Sequence, residues 1–394
     1  MATQRRDAAI VGMHEYPKRV VGPSVSAQMI KAASARRALE DAGLTWKDVD
    51  ALYDPDGGLN MAEYFGFRPQ VVDTTSVGGA SFEFLTGHAL RSIREGKCKV
   101  VLITEGSTAH SDQRAIGTGG FAGGAGPATL SGNMESSWGS VLISNYALVK
   151  TRHMHQYGTK PEQFANISVV TRAHAVRNPE AVQAMTDLGF QGTGEISIED
   201  VLSSRMIADP LHLLECCMVS DGGGAIVIAS ADVARNTRKK PVWILGSGES
   251  IKYRENGGDI TTSAGAASAP QAFGEAGVRP DELDVAMVYD SFTITVLTCL
   301  EDLGFCKKGE GGAFVEGTRL RWDDPRKPAL NTDGGGLSSN HTGRRGMYLL
   351  LEATRQLRGE STSQVANARL AVAHGNGGNL GGGHSGGTII LARD

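Results

Sequence analysis

His374-Gly-Asn-Gly-Gly-Asn-Leu-Gly-Gly-Gly-His-Ser-Gly-Gly387 runs straight into Thr388-Ile-Ile-Leu-Ala392, and a second apolar run, Arg369–Ala373, leads up to it. Two short apolar runs around eight glycines in fourteen residues predict two buried strands joined by a turn that leaves backbone amides uncovered. Uncovered amides suit a developing oxyanion, and the two histidines of the tract can move protons. The competing reading is a plain glycine hairpin with histidines at the surface.

Outward from this tract, strand and helix patterns alternate. Asp7–Met13, Asp50–Tyr53, Lys99–Thr104, Asp221–Ser230, the run from Pro241 to Gly248, and Val285–Val288 read as strands, whereas Val25–Ala42 and Ser81–Glu95 carry apolar residues at helical spacing. Lys99–Thr104 is a continuous apolar run of the kind buried on both faces. The alternation predicts an α/β fold. Gly117–Gly139 interrupts it with eight glycines, and Trp138–Tyr157 with Lys160–Val176 restores helical patterning. Within the interruption, Gly117–Gly126 contains no lysine and no phosphate-loop spacing, so a lid or partner-binding loop is the better reading than a nucleotide cradle.

An internal echo points to duplication. Ala42-Gly-Leu-Thr-Trp-Lys-Asp-Val-Asp50 parallels Ala276-Gly-Val-Arg-Pro-Asp-Glu-Leu-Asp284, each following a helical stretch and preceding a short apolar strand. The spacing predicts one half over residues 1–240, interrupted by an insertion at about 116–200, and a second half over 241–394.

Composition excludes several function classes. The chain has 394 residues, 40% of them hydrophobic, which is enough for sizeable cores without staples. With 39 basic against 43 acidic residues, for a net charge of −4, and no long block of one sign, nucleic acid is not an expected partner. No apolar run is long enough to span a bilayer and the first residues lack a signal-peptide core, so a cytoplasmic protein is expected. Cys98, Cys216, Cys217, Cys299 and Cys306 are odd in number and without paired C-x-x-C spacing, which indicates neither a disulfide framework nor a metal site.

Four segments in order carry a family resemblance: Thr74–Gly87, then Tyr289-Asp-Ser-Phe292, then Asn331-Thr-Asp-Gly-Gly-Gly-Leu-Ser-Ser-Asn-His-Thr-Gly343, then the glycine tract from His374. Together they resemble the four active-site loops of thiolases. Ile198–Pro210, Cys216–Gly224 and Glu352–Gly359 look like the lipid-transfer, or sterol carrier protein, branch. The resemblance implies duplicated βαβαβαββ halves in a layered α-β-α-β-α core with an inserted loop domain. Two departures stand out. Thiolases place a nucleophilic cysteine at a helix start, where the dipole favours thiolate, and this chain has Val77 there. Ser76 beside it has no sequence-adjacent base, and its bland role is an N-cap. In the second loop, where thiolases commonly carry asparagine or histidine, this chain has Tyr289.

A thiolase scaffold without the cysteine and with this tyrosine looks like the thiolase-like aldolases of steroid side-chain degradation. The implied reaction is retro-aldol cleavage of a β-hydroxyacyl-CoA to a carbonyl product and a shorter acyl-CoA. It needs a base for the hydroxyl, a stabiliser for the enolate oxygen and an acid for the α-carbon, and no nucleophile. The resemblance assigns Tyr289 to the hydroxyl proton, His341 with the amides of Gly377 and Gly378 to the thioester oxygen, and His374 to proton return. Ser76, Val77 and Ser339 would line the substrate. Arg344 and Arg345 follow the third loop, where they could meet CoA phosphates or serve as a solvated helix start. The second tyrosine expected in the third loop is replaced by Ser338 and Ser339, so either Tyr348 or a histidine takes its place, or Tyr348 only packs. His384 reads as structural or exposed.

The resemblance further implies a coenzyme A thioester as substrate with no permanently bound cofactor or metal, and a homodimer core, with Lys99–Thr104 and its preceding helix close to the interface. It also implies a small OB-fold, zinc-ribbon partner subunit in an α2β2 assembly. Two other functions stay open: an acyltransferase or Claisen-type thiolase component with an atypical site, and a non-catalytic acyl-CoA-binding subunit.

Overall fold

Twelve strands organise the described residues, and their hydrogen-bonded order repeats itself. They are β1 (Ala8–Glu15), β2 (Ala51–Tyr53), β3 (Val71–Asp73), β4 (Val100–Ser107), β5 (Met206–Ala208), β6 (Leu211–His212), β7 (Gly222–Ser230), β8 (Val242–Lys252), β9 (Val285–Val288), β10 (Ala329–Leu330), β11 (Leu370–Gly378) and β12 (His384–Ala392). This computed structural model describes residues 5–113, 141–253 and 259–394. The Gly117–Gly139 tract, and the start expected for the insertion at 116, lie outside the described residues.

From the middle of the large sheet, one side reads β1-β7-β4-β2-β3 and the other β8-β12-β11-β9-β10. On each side the first two pairings are antiparallel and the last two parallel. β1 and β8 join the two sides antiparallel at Ala9–Trp243 and Ile10–Val242. The sequence echo falls on equivalent places. Helix Ala27–Ala42 ends at Gly43 and leads to β2, and helix Gly265–Ala276 ends at Gly277 and leads to β9, with both glycines in the left-handed region. The two outer helices also meet their sheets in the same way. A side chain on Gly12 of β1 would strike the Ala38 carbonyl, and one on Gly246 of β8 would strike the Ala272 carbonyl, so each helix lies directly on strand backbone.

Helices Ser81–Arg94 and Gly346–Arg358 pack between the two sides, touching strands of both. Their apolar faces, including Phe82, Leu85, Met347, Leu350 and Leu351, bury against Ile103, Ile226 and Ile228 on one side and Met287, Ala373 and Ile389 on the other. The layers are therefore outer helix, sheet, central helix pair, sheet and outer helix, as the resemblance implied. Between β4 and β7 the described chain forms helices Leu142–Tyr157, Pro161–Ala175, Pro179–Asp187 and Ile198–Ser203 and the small β5-β6 hairpin.

One expectation is placed here and another corrected. From Val100 on, Lys99–Thr104 falls in β4, which is hydrogen-bonded to β7 on one edge and β2 on the other; the free edge on that side is β3. The glycine tract is also mostly strand. β11 and β12 pair from Leu370–Ala392 through to Gly378–His384, which leaves only Asn379–Gly383 as the turn. Glycine does not end these strands because the next layer lies directly on them, as the site shows. No helix among the described residues is long and apolar enough to cross a membrane.

Candidate active site

The first and fourth loops interlock. A short 3-10 turn, Gly78–Ala80, opens helix Ser81–Arg94, and Ser81 fastens it: Ser81 Oγ accepts from the Val77 N–H at 2.9 Å and donates to the Gly78 carbonyl at 2.6 Å. Ser385 Oγ of β12 donates to the Val77 carbonyl at 2.6 Å. Gly377 has no room for a side chain because it would strike that same carbonyl. Gly78 holds φ 71°, with the Gly378 nitrogen 3.3 Å from where its Cβ would stand. The Gly378 amide thus lies beside the first loop, whereas Gly377 serves close packing. Ser76 is exposed and does not cap the helix; neither the turn nor the helix receives a side-chain cap, and Ser81 instead ties the loop at Val77 and Gly78.

The second and third loops enter from the other side. Tyr289, directly after β9, is buried with its ring against Gly79, where any side chain would collide with it. Its hydroxyl donates to the Gly343 carbonyl at 3.4 Å, and its ring meets His341 edge to face with centroids 5.5 Å apart. Burial raises the phenol pKa well above its ordinary value, so Tyr289 rests protonated. His341 is held by its backbone, which exchanges hydrogen bonds with Ser220. Its Nδ1 accepts from the Gly343 N–H at 3.3 Å, which assigns the ring proton to Nε2, and that atom has no partner among the described residues. Burial, helped by the Arg345 charge, lowers the His341 pKa to about 3. His341 is therefore a neutral N–H donor, suited to an oxyanion and unsuited to carrying a positive charge.

Tyr289, His341, Val77, Gly377 and Gly378 come together around Gly78–Gly79 and Gly343. His374 does not join them. Along β11, residues 371, 373, 375 and 377 face the central helices, and Val372, His374 and Asn376 face the outer layer. The His374 ring lies against Gly265 at the start of the outer helix, with Nδ1 bonded to Thr388 Oγ1 at 2.9 Å, and burial pushes its pKa down to about 4. Proton return by His374 is overturned by the pleat of the strand. His384 is structural: its Nδ1 accepts from the Ala264 N–H at 3.0 Å and its Nε2 meets Asn376. Asn376 in turn donates to the Tyr146 hydroxyl at 3.2 Å, which donates to the Gly378 carbonyl at 3.2 Å. This outer-face chain fixes the fourth loop from behind.

The arginines are corrected as well. Arg345 is fully buried, with Nε 2.8 Å from Asp290 and Nη2 2.8 Å from Asp333, so it clamps the second loop to the third and is closed to any phosphate. Arg344 is already paired with Asp56 at 2.6 Å and Glu105 at 3.1 Å. It borders a cavity of about 560 Å³ beside Gly343, whose other polar walls include Lys31, Asp56, Asn60, Tyr64 and Ser107. Three carboxylates, Asp54, Asp56 and Glu105, answer the Lys31 and Arg344 charges there, leaving no excess positive charge for a phosphate. Ser339 is fully buried and accepts from Asn340 Nδ2 at 3.4 Å. Tyr348 is buried, with its hydroxyl against Gly222 at the start of β7, so it packs rather than faces Tyr289.

One buried acid that sequence reasoning passed over lies next to the first and fourth loops. Glu83 lies in the first turn of helix Ser81–Arg94, is 1% exposed, and neither carboxyl oxygen has a partner among the described residues. Its signal was a lone acid between Phe82 and Phe84. Among the described residues, no group of three or more His, Cys, Asp or Glu is placed to hold a metal ion.

Comparison with known proteins agrees with the fold. Residues 246–393 match the thiolase C-terminal domain-like family model. An acetyl-CoA acetyltransferase of Methanothermobacter thermautotrophicus is 32% identical, over 98% of this chain and 98% of its own length. A steroid side-chain-cleaving aldolase of Thermomonospora curvata is 30% identical, over 83% of this chain and 84% of its own. The solved Ltp2-ChsH2(DUF35) aldolase superposes with a TM-score of 0.85 at 28% identity, covering 98% of both chains. The chain belongs to the thiolase superfamily, in the sterol-carrier-protein-like group that includes aldolases.

Proposed function

We propose that this protein is a carbon–carbon lyase that cleaves a β-hydroxyacyl-CoA by a retro-aldol reaction, releasing a carbonyl compound and a shorter acyl-CoA. The observation that carries the reading is the pairing of Tyr289 with the neutral His341 in a centre where Val77 stands at the helix start. An acyl-enzyme needs a nucleophile at that position, and valine has none. Retro-aldol cleavage needs only proton transfer and a stabilised enolate. In this reading the His341 Nε2–H and the Gly378 amide hold the thioester oxygen as it gains charge, and Tyr289 exchanges the proton of the β-hydroxyl.

The coenzyme A thioester enters as substrate, with no resident cofactor. The names of the aldolase relatives favour a steroid side-chain thioester, and the Ltp2-ChsH2(DUF35) likeness favours a small partner subunit bound to a dimer of this chain. The similarity to acetyltransferases is equally strong in identity, and acyl transfer is the second reading. One experiment separates them. A panel of β-hydroxyacyl-CoAs, including a steroid side-chain ester, and of 3-ketoacyl-CoAs is incubated with and without free CoA, with the chain alone and with a DUF35-type partner, and the products are followed by mass spectrometry. Carbonyl release without added CoA supports cleavage; CoA-dependent acyl exchange on 3-ketoacyl-CoAs without carbonyl release would replace it with the transferase reading.

A further inference from the structure

Tyr289 and His341 meet at a single residue of backbone. The Gly343 carbonyl accepts from the Tyr289 hydroxyl at 3.4 Å, and the Gly343 N–H donates to His341 Nδ1 at 3.3 Å. Both bonds lie near the outer limit for a hydrogen bond, and neither is charge-assisted, since both side chains are neutral. Gly343 holds φ 96° with no side chain to anchor it. Contacts this weak follow the place of Gly343 and do not fix it.

The groups that do fix it come from the other half of the fold. Ser107, the buried last residue of β4, donates from Oγ to the Thr342 carbonyl at 2.9 Å. Arg344, on the other side of Gly343, is paired with Glu105 of the same strand at 3.1 Å and with Asp56, which follows β2, at 2.6 Å. Asp56 is itself held, because Lys31 Nζ lies 2.9 Å from it and 2.8 Å from Asp54, and Asp54 accepts from Thr104 Oγ1 at 2.5 Å. Residues 342 and 344 are thus tied to the ends of β2 and β4 by bonds that are shorter than those to Tyr289 and His341 and, at Arg344, charge-assisted. Gly343 is carried between them, one peptide from each tie.

We propose that Ser107 and Arg344 are positioning residues of the site: through the backbone of Gly343 they set the Tyr289 hydroxyl and the His341 ring relative to each other. The first half of the chain then orients the proton-transfer and oxyanion groups that the second half supplies. The effect on rate rests on the retro-aldol reading; the effect on the two side chains does not. Neither residue touches substrate. The His341 ring is the sensitive end. Its Nε2 carries the proton only while Nδ1 accepts from Gly343, and a proton moved to Nδ1 leaves an acceptor where the thioester oxygen needs a donor. At 3.3 and 3.4 Å, a small outward shift of Gly343 breaks both bonds.

The test compares wild type with Ser107→Val, Ser107→Thr, Arg344→Met and Arg344→Lys in the full chain. Valine and threonine share a shape and differ in the hydroxyl, so a packing effect would strike both alike. For cleavage of a β-hydroxyacyl-CoA, kcat should fall about tenfold in Ser107→Val and in Arg344→Met with KM within about twofold. Ser107→Thr should recover most of the loss and Arg344→Lys part of it. Independently of turnover, nitrogen-15 NMR of histidine-labelled protein, with His341 assigned by His341→Gln, should show one Nε2–H tautomer in wild type and Ser107→Thr. Ser107→Val and Arg344→Met should show a mixture. A residue whose variant leaves the His341 signals unchanged loses the role, whatever its kcat, and equal losses in Ser107→Val and Ser107→Thr overturn the part of the Ser107 bond. If wild type cleaves and the tautomer changes leave kcat untouched, the proposal is overturned. If wild type cleaves nothing yet the tautomer changes appear, the cleavage reading fails and the positioning stands.

Discussion

The Tyr289 N–H donates to the His374 carbonyl at 3.0 Å, yet the two side chains lie on opposite faces of the sheet. Both facts follow from one register. β9 and β11 run parallel with Val288 beside His374, so Val288 and His374 share the outer face and Tyr289, one residue on, turns to the central layer with Gly375. A one-residue step therefore separates a residue of the active centre from a residue of the packing.

Opposite faces give opposite phenotypes. Tyr289→Phe keeps the ring that packs on Gly79 and His341 and removes only the hydroxyl. It should lower kcat for cleavage by about 10²-fold or more while acyl-CoA binding stays within a few fold. His374→Gln should instead lower stability by about 1–3 kcal/mol, through the Thr388 bond and the contact with Gly265, and leave kcat nearly unchanged. Steady-state kinetics beside urea denaturation of both variants checks this. A large kcat loss in His374→Gln with unchanged stability would return His374 to the chemistry.

Much of the fold was legible because its signals are local. The apolar runs at Lys99–Thr104 and Val285–Val288 became β4 and β9, and the Ala42–Asp50 and Ala276–Asp284 echo fell on equivalent helix ends. The order of the four loops was legible as a pattern of glycines and small residues. Side-chain direction was not. Whether His374 or Gly375 faces the centre depends on register, and glycines carry no alternation by which to read it. The fate of Arg345 depended on Asp290 and Asp333, far apart in sequence and brought together by the second and third loops. Glu83 escaped notice because its partners are glycines, which sequence reading treats as turn signals and which here are clearance for a carboxyl.

Acid should destabilise the protein through its buried histidines, and His174 isolates the effect. Its Nδ1 meets the Asn331 carbonyl at 3.2 Å and its Nε2 accepts from the Trp322 N–H at 3.2 Å, so both nitrogens are committed in the neutral form. Burial lowers its pKa to about 4, below the ordinary 6.5. The unfolded chain binds this proton first as pH falls. The stabilising contribution is thus complete above pH 6.5 and is lost toward pH 4, by about 1.4 kcal/mol per pH unit. His174→Gln, whose amide can make both bonds without titrating, should lose about 2 kcal/mol less than wild type between pH 7 and pH 5 in denaturant titrations. Parallel stability curves for the two proteins would contradict this.

Arg345 should matter to stability far more than its neighbour. Arg345→Met leaves Asp290 and Asp333 buried without their counter-charge, and burial already raises the Asp290 pKa to about 6 with the guanidinium present. The expected loss is about 3–5 kcal/mol, partly relieved in the Arg345→Met/Asp290→Asn double variant. Arg344→Met should cost less: its partner Asp56 is 44% exposed, and its buried partner Glu105, pushed up to about 7 by burial, can take a proton when the guanidinium is lost. Melting temperatures of the four proteins test the ranking, and equal losses from the two single variants would show that the second loop is not held by this clamp.

The five native thiols should be slow to alkylate, and a sixth placed at the first loop should be fast. Burial pushes Cys98 up to about 11 and Cys216, Cys299 and Cys306 up to about 12, and raises Cys217 further, so none presents thiolate near neutrality. Position 77 is different: it is partly exposed, precedes the turn into helix Ser81–Arg94, and has the Gly78–Ala80 amides ahead of it. Val77→Cys should therefore react with iodoacetamide at pH 7 at least about tenfold faster than any native cysteine, by peptide mass spectrometry. Iodoacetamide should leave wild-type cleavage intact and block only the variant, because the modified side chain would stand where the thioester has to lie. Loss of wild-type activity on alkylation, with the label on Cys217 beside the second loop, would restore a cysteine mechanism and remove the reason for reading Val77 as the mark of an enzyme without an acyl intermediate.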